Sequence, residues 1–105
     1  MNCIRTKQDD GGVHLAISGR LDALTVHELR ATFDDVAAAR PRRVVIDFAE
    51  LMLLDSSGVG AVVSLYKRVK TQNGTVVIVR AHGQPLLVLQ SLELDRVFSA
   101  VGPRH

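Results

Sequence analysis

Polar and apolar residues alternate at the start of the chain, then give way to helical spacing, and the change of period divides the sequence into elements. In Val13–Ser18, Val13, Leu15 and Ile17 fall on one side, the period of two that marks a half-buried strand. Asn2–Lys7 reads as a short edge strand. Between the two, Asp9-Asp10-Gly11-Gly12 supplies turn residues, so the pair is predicted to form a hairpin. Gly19–Asp22 reads as a loop. Thr25 followed by Glu28 has the form of a capping box. Val26, Leu29, Phe33, Val36 and Ala37 then share one helical stripe. That helix is predicted to stop near Arg40, because Pro41 disfavours helical backbone in the residue before it.

Arg42–Phe48 contains the β-branched run Val44-Val45-Ile46, suited to a strand buried on both faces. Leu51–Leu54 is a short apolar approach to Asp55-Ser56-Ser57-Gly58. Val59, Val62, Val63, Tyr66 and Val69 then repeat at helical spacing, with Lys67, Arg68 and Lys70 crowding the carbonyl end, where cations are favoured. Asn73-Gly74 ends this helix, and Thr75–Val79 reads as another buried strand. Pro85 suits the first turn of a third helix over Pro85–Leu92, and Arg96–Ser99 reads as a last short strand. Strands alternating with helices predict an α/β fold. The expectation is a mixed sheet of four to five strands with three to four helices, the hairpin strand antiparallel, the later strands parallel and the crossovers right-handed.

At 105 residues, the whole chain is expected to be one stand-alone domain. With 47% hydrophobic and 23% charged residues it has the balance of a globular protein. A single cysteine, Cys3, excludes an internal disulfide, so packing alone must hold the core. A net charge of +2, with one Tyr, three Phe and no Trp, argues against a nucleic-acid binder. No apolar run approaches bilayer-spanning length, and the first ten residues lack a signal-peptide apolar region, so a reduced, cytoplasmic protein without direct membrane insertion is expected.

Most chemistries lack the residues they need. Cys3, His14, His27, His82 and His105 show no ligand-like spacing, so no metal site is expected. Leu54 stands where a nucleophile elbow needs glycine, and no histidine is placed by sequence to activate Ser56 or Ser57. Gly58-Val59-Gly60 is only a fragment of a dinucleotide fingerprint, no phosphate loop is present, and no cofactor is implied. Arg40, Arg42 and Arg43 read as solvated positive surface. The strongest signal is Leu54-Asp55-Ser56-Ser57-Gly58, an acid and two hydroxyls at a helix start. It admits two readings. In one, Asp55 or Ser56 is simply the N-cap. In the other, a hydroxyl is phosphorylated where the helix dipole tolerates the added charge.

At these residues the sequence resembles the STAS domain family, the anti-sigma factor antagonists. The resemblance covers nearly the whole chain. It is carried by Val44-Val45-Ile46-Asp47-Phe48, Leu51, Leu54-Asp55-Ser56-Ser57-Gly58-Val59-Gly60 and Tyr66-Lys67, and by Gly19-Arg20-Leu21-Asp22 upstream, which matches the family's Gly-x-Leu-Asp loop. It implies a switch protein rather than an enzyme. The unphosphorylated form would bind an anti-sigma factor with serine kinase activity and so free a sigma factor. Phosphorylation of the first serine of the motif, here Ser56, would end binding, and a PP2C-type phosphatase would restore it. The implied partner surface comprises Asp22, Ala23, Leu24, Asp55, Ser56, Ser57 and Gly58. The choice of Ser56 over Ser57 rests on the resemblance. Other roles remain open: a subunit of a membrane transporter or lipid-transport complex, a nucleotide-binding or sensory module, and, with least support, a hydrolase. The identity of the sigma factor and the oligomeric state are not readable.

Overall fold

The computed structural model describes residues 1–98. Its elements run β1 (Asn2–Lys7), β2 (Gly12–Leu21), α1 (Val26–Ala38), β3 (Arg43–Asp47), β4 (Leu51–Leu54), α2 (Ser56–Thr71), β5 (Thr75–Val79), α3 (Gly83–Ser91) and α4 (Leu94–Phe98). Five strands form a mixed sheet in the order β1-β2-β3-β5, with β4 paired to β2 off that path.

Strand β2 organises the sheet. Its first part pairs antiparallel with β1, Val13 opposite Lys7 and Ser18 opposite Asn2, and parallel with β3, Leu15 opposite Ile46. Strand β3 in turn pairs parallel with β5. The register shifts between Gly19 and Arg20, and the tail of β2 then pairs parallel with β4, Leu21 opposite Leu54. Gly19 sits at φ +85°, where a side chain would be strained. This kink carries the strand on to Leu21, so most of the loop expected over Gly19–Asp22 is strand. Leu51–Leu54, read from sequence only as an apolar approach, is likewise a strand, because the tail of β2 offers it a paired edge.

Helices cover one face of the sheet. The rows Val13–Val44–Val76 and Leu15–Ile46–Ile78 are buried in a single core with Leu29 and Phe33 of α1, Val62 and Leu65 of α2, Leu89 of α3 and Phe98 of α4. Each fully buried Leu, Ile or Phe contributes about 1.5–3 kcal/mol. The alternate rows, His14–Val45–Val77 and Ala16–Asp47–Val79, face away from the helices. Val45, Val77 and Val79 are only half-buried. The strands expected to be buried on both faces are therefore covered by helices on one. On the open face Asp47 is 3% exposed, roofed by Arg80, which bonds both its oxygens, and by His14 at 3.3 Å. Burial raises the Asp47 pKa, but the Arg80 hydrogen bonds, the Ala49 N–H and the positive charge nearby outweigh it and hold the carboxyl below its ordinary value.

Helix α1 ends at Ala38, and Arg40 turns the chain at φ +52° ahead of Pro41. In α2 the buried side is Gly58, Ala61, Val62, Leu65 and Val69, so the stripe is rotated from the predicted one and Val59, Val63 and Tyr66 are only partly covered. Helix α3 begins two residues before the predicted start at Pro85. Arg96–Phe98, expected to be strand, belongs to α4, because Phe98 is drawn under Tyr66 in an edge-on contact with centroids 5.2 Å apart. Ser99 lies outside the described residues.

Candidate functional site

The site forms where two strand ends meet. Leu21 ends β2 and Leu54 ends β4; the two are paired, so the loops leaving them run side by side. The Asp55 N–H donates to Leu21 O at 3.2 Å and continues the pairing one residue further. Asp55 is the N-cap of α2, in extended backbone, and its Oδ1 accepts from the Gly58 N–H at 3.1 Å. Its Oδ2 accepts from the Ala23 N–H at 3.2 Å. One carboxylate therefore caps the helix and fastens the β2–α1 loop to it.

Asp22 organises that loop. Its Oδ1 accepts from the Leu24 N–H at 3.0 Å, and Arg20 Nε lies 3.8 Å from its Oδ2. The expected capping box does not form. Thr25 is the N-cap of α1 by position but makes no side-chain cap bond. Its hydroxyl turns back, accepting from the Asp22 N–H at 3.1 Å and donating to Arg20 O at 3.0 Å. The threonine thus serves the loop rather than the helix.

The sequence-predicted residues are brought together. Ser56 is the first residue of α2 and is exposed, whereas Ser57 is half-buried. Ala23 is exposed and Leu24 is 84% exposed, an apolar side chain beside two carboxylates. Gly58 is buried, and a Cβ there would stand 2.7 Å from Leu21 Cγ and 2.7 Å from Leu54 Cδ1. Its lack of a side chain lets the first turn of α2 sit directly on the paired strand ends. The Arg40–Arg43 turn belongs to the start of β3, away from the strand ends that carry the site.

One participant was not apparent in the sequence. Gln84, on the first turn of α3, accepts from the Leu54 N–H at 2.8 Å and donates to Leu54 O at 2.9 Å. The pair is 30 residues apart, and no local pattern announces it.

The hollows described among these residues lie away from Ser56. A hollow of about 270 Å³ lies on the open sheet face over Asp47 and Arg80, and another of about 430 Å³ lies between β4 and the start of α3. Neither is lined by Ser56. Among the described residues no group of three or more His, Cys, Asp or Glu side chains is placed to hold a metal ion, and no helix is long and apolar enough to cross a membrane. Cys3 is partly buried, and burial pushes its thiol pKa up, only partly offset by Arg5.

The sequence profile described as STAS domain matches residues 4–104. An anti-sigma factor antagonist from Mycobacterium paratuberculosis superposes with a TM-score of 0.86 at 22% identity, over 98% of this chain and 86% of that one. The phosphorylated form of the Bacillus cell-fate determinant SpoIIAA superposes with a TM-score of 0.76 at 19% identity, over 97% and 93% of the two chains. An anti-sigma-factor antagonist (STAS) domain protein from Planctomyces limnophilus gives 0.79 at 23% identity, over 95% and 88%. At such identities the likeness is one of fold.

Proposed function

The chain belongs to the STAS domain family, and from that premise we propose that it is an anti-sigma factor antagonist switched by phosphorylation of Ser56. In this reading the unphosphorylated protein works in the bacterial cytoplasm, as a single domain and not as an enzyme. It binds an anti-sigma factor that is also a serine kinase, and so releases a sigma factor. The kinase moves the γ-phosphoryl group of ATP to Ser56 Oγ: the new P–O bond forms as the bond to the β–γ bridging oxygen breaks, ADP leaves and the hydroxyl proton passes to the kinase. A PP2C-type phosphatase reverses the change by hydrolysis.

The observation that carries this reading is the exposed Ser56 hydroxyl on the first residue of α2, beside an N-cap carboxylate whose two oxygens already accept hydrogen bonds. Ser57 is the less accessible of the two. A phosphate brings about −1.5 to −2 charges to a helix start whose dipole favours them, so α2 tolerates the modification. Its effect then falls on the contact surface. Asp22, Ala23, Leu24, Asp55, Ser56 and Ser57 form a patch with a small apolar centre and an acidic border, suited to a transient interface, and Gly58, expected from sequence to belong to it, is buried beneath it and supports it from below. A dianion there adds like charge and desolvation cost against acidic groups of a partner. Disrupting a desolvated polar contact costs about 2–5 kcal/mol, enough to dissociate a moderate complex.

Mass spectrometry after incubation with ATP and candidate kinases tests the acceptor. Calorimetry on Ser56→Ala and Ser56→Asp tests the switch. Ser56→Ala should bind the kinase partner nearly as wild type does and take up no phosphate, and Ser56→Asp should bind more weakly. Wild-type phosphate uptake by Ser56→Ala, or equal binding by the two variants, defeats the proposal.

A further inference from the structure

We propose that Gln84 is a positioning residue for the Ser56 segment: its side-chain amide acts as a short neighbour strand on the outer edge of β4 and fixes where α2 begins. Leu54 is the last residue of β4. On its inner side the strand is held by β2, through the Leu21–Leu54 pairing and the bond from Asp55 N–H to Leu21 O. The outer edge has no strand beside it among the described residues, and there the Leu54 N–H and C=O both meet Gln84, at 2.8 and 2.9 Å. A carboxamide offers one acceptor and one donor side by side, the pair that an adjoining backbone would present. Leu54 is buried, so leaving its backbone groups unpaired would be costly.

Gln84 itself is well anchored. His82, the N-cap of α3, places Nε2 2.7 Å from Ala49 O, so the start of α3 is fastened near both ends of β4. Pro85 and Leu89 are buried and seat the helix. Leu54 passes its position to the acceptor by two routes. Along the chain, Asp55 and Ser56 follow it directly. Through space, its side chain forms part of the floor beneath Gly58 in the first turn of α2. The chemistry is specific to glutamine. Asparagine is one methylene shorter, leucine offers neither bond, and ionised glutamate lacks the donor for Leu54 O. Protonated glutamic acid regains it.

The inference rests on the reading of Ser56 as acceptor only in its kinetic arm. Backbone amide exchange at Leu54, corrected for intrinsic rates and compared with Ile46 in the core, reads the positioning directly. In Gln84→Ala the Leu54 protection should fall about tenfold relative to Ile46, the loss of a hydrogen-bonded contact. In Gln84→Glu the ionised carboxylate still accepts from the Leu54 N–H but repels Leu54 O, so protection at pH 7 should fall less than in Gln84→Ala and should rise towards wild type near pH 4, where a carboxylic acid group forms. Gln84→Ala should show no such recovery. With the partner kinase at neutral pH, transfer to Ser56 should slow about tenfold in Gln84→Ala. A fall in protection shared equally by Leu54 and Ile46, or a Gln84→Glu profile without recovery, overturns the positioning role. Failure of wild type to accept phosphate overturns the reading of Ser56 instead, and the exchange result then decides Gln84 alone.

Discussion

Two glycines in α2, two residues apart, should respond to the same substitution with opposite signs. A Cβ on Gly58 would lie 2.7 Å from both Leu21 Cγ and Leu54 Cδ1, and those leucines are 0% and 1% exposed. Neither side chain has open space into which to retreat. Overpacking of this kind costs about 1–3 kcal/mol, against a helix-propensity gain of about 1 kcal/mol for replacing glycine by alanine. The clash also presses on the turn that holds the bond from Gly58 N–H to Asp55, whose loss adds about 1 kcal/mol. Gly58→Ala should therefore destabilise by about 1–3 kcal/mol. Gly60 is exposed, and a Cβ there would meet nothing nearer than the Arg30 guanidinium at 3.7 Å. Only the propensity gain remains, so Gly60→Ala should stabilise by about 0.5–1 kcal/mol. Urea unfolding followed by circular dichroism reads both values, and thermal midpoints should move by about 4–8 °C per kcal/mol for a domain near this size. A Gly58→Ala protein as stable as wild type would refute the packing argument, and a destabilised Gly60→Ala would refute the claim of free space.

Asp55→Ala should lose about 1–2 kcal/mol in urea unfolding, with Asp55→Ser between it and wild type, because serine can restore the cap to Gly58 but not the bond to Ala23. Leu24→Ala should leave stability within about 0.5 kcal/mol, since Leu24 is 84% exposed, while weakening partner binding measured by calorimetry. Asp47 has a folded-state pKa below its unfolded value, so its contribution is present above the ordinary carboxylate range and is lost as pH falls through the depressed value. Urea midpoints measured across acidic pH should show this component in wild type and lack it in Asp47→Asn. Arg80→Ala should destabilise at neutral pH by leaving the Asp47 charge buried without its main partner, and the added substitution Asp47→Asn should recover part of the loss in a double-mutant cycle.

What the sequence made legible follows from how local each signal is. The alternation of Val13, Leu15 and Ile17 and the helical repeat from Val59 to Val69 are set by burial over a few residues, and both elements stand where the pattern puts them. Leu51-Met52-Leu53-Leu54 carries no alternation, and its strand character comes from the tail of β2 beyond Gly19, a partner distant in the chain. Thr25 and Glu28 have the spacing of a capping box, but the threonine hydroxyl finds Asp22 and Arg20 instead, in a loop whose shape the spacing does not encode. Arg96–Phe98 is short, and contact with Tyr66 outweighs its strand propensity. In the candidate site, the acid, the hydroxyls and Gly58 could be picked out by type. The bond from Ala23 to Asp55 and the clasp of Gln84 on Leu54 could not, because each joins residues 30 or more apart.

The double duty of the Asp55 carboxylate bears on how fast and how selectively this surface can be met. Because one rigid side chain ties the loop at Ala23 to the first turn of α2, the two segments cannot drift apart without breaking a hydrogen bond from a backbone amide to a carboxylate. Their relative placement is settled during folding, before any encounter. A partner touching both segments finds a preorganised patch and loses little conformational entropy in ordering it. Association is then governed by the electrostatic field as the molecules approach, and that field is what a change of charge at the start of α2 alters.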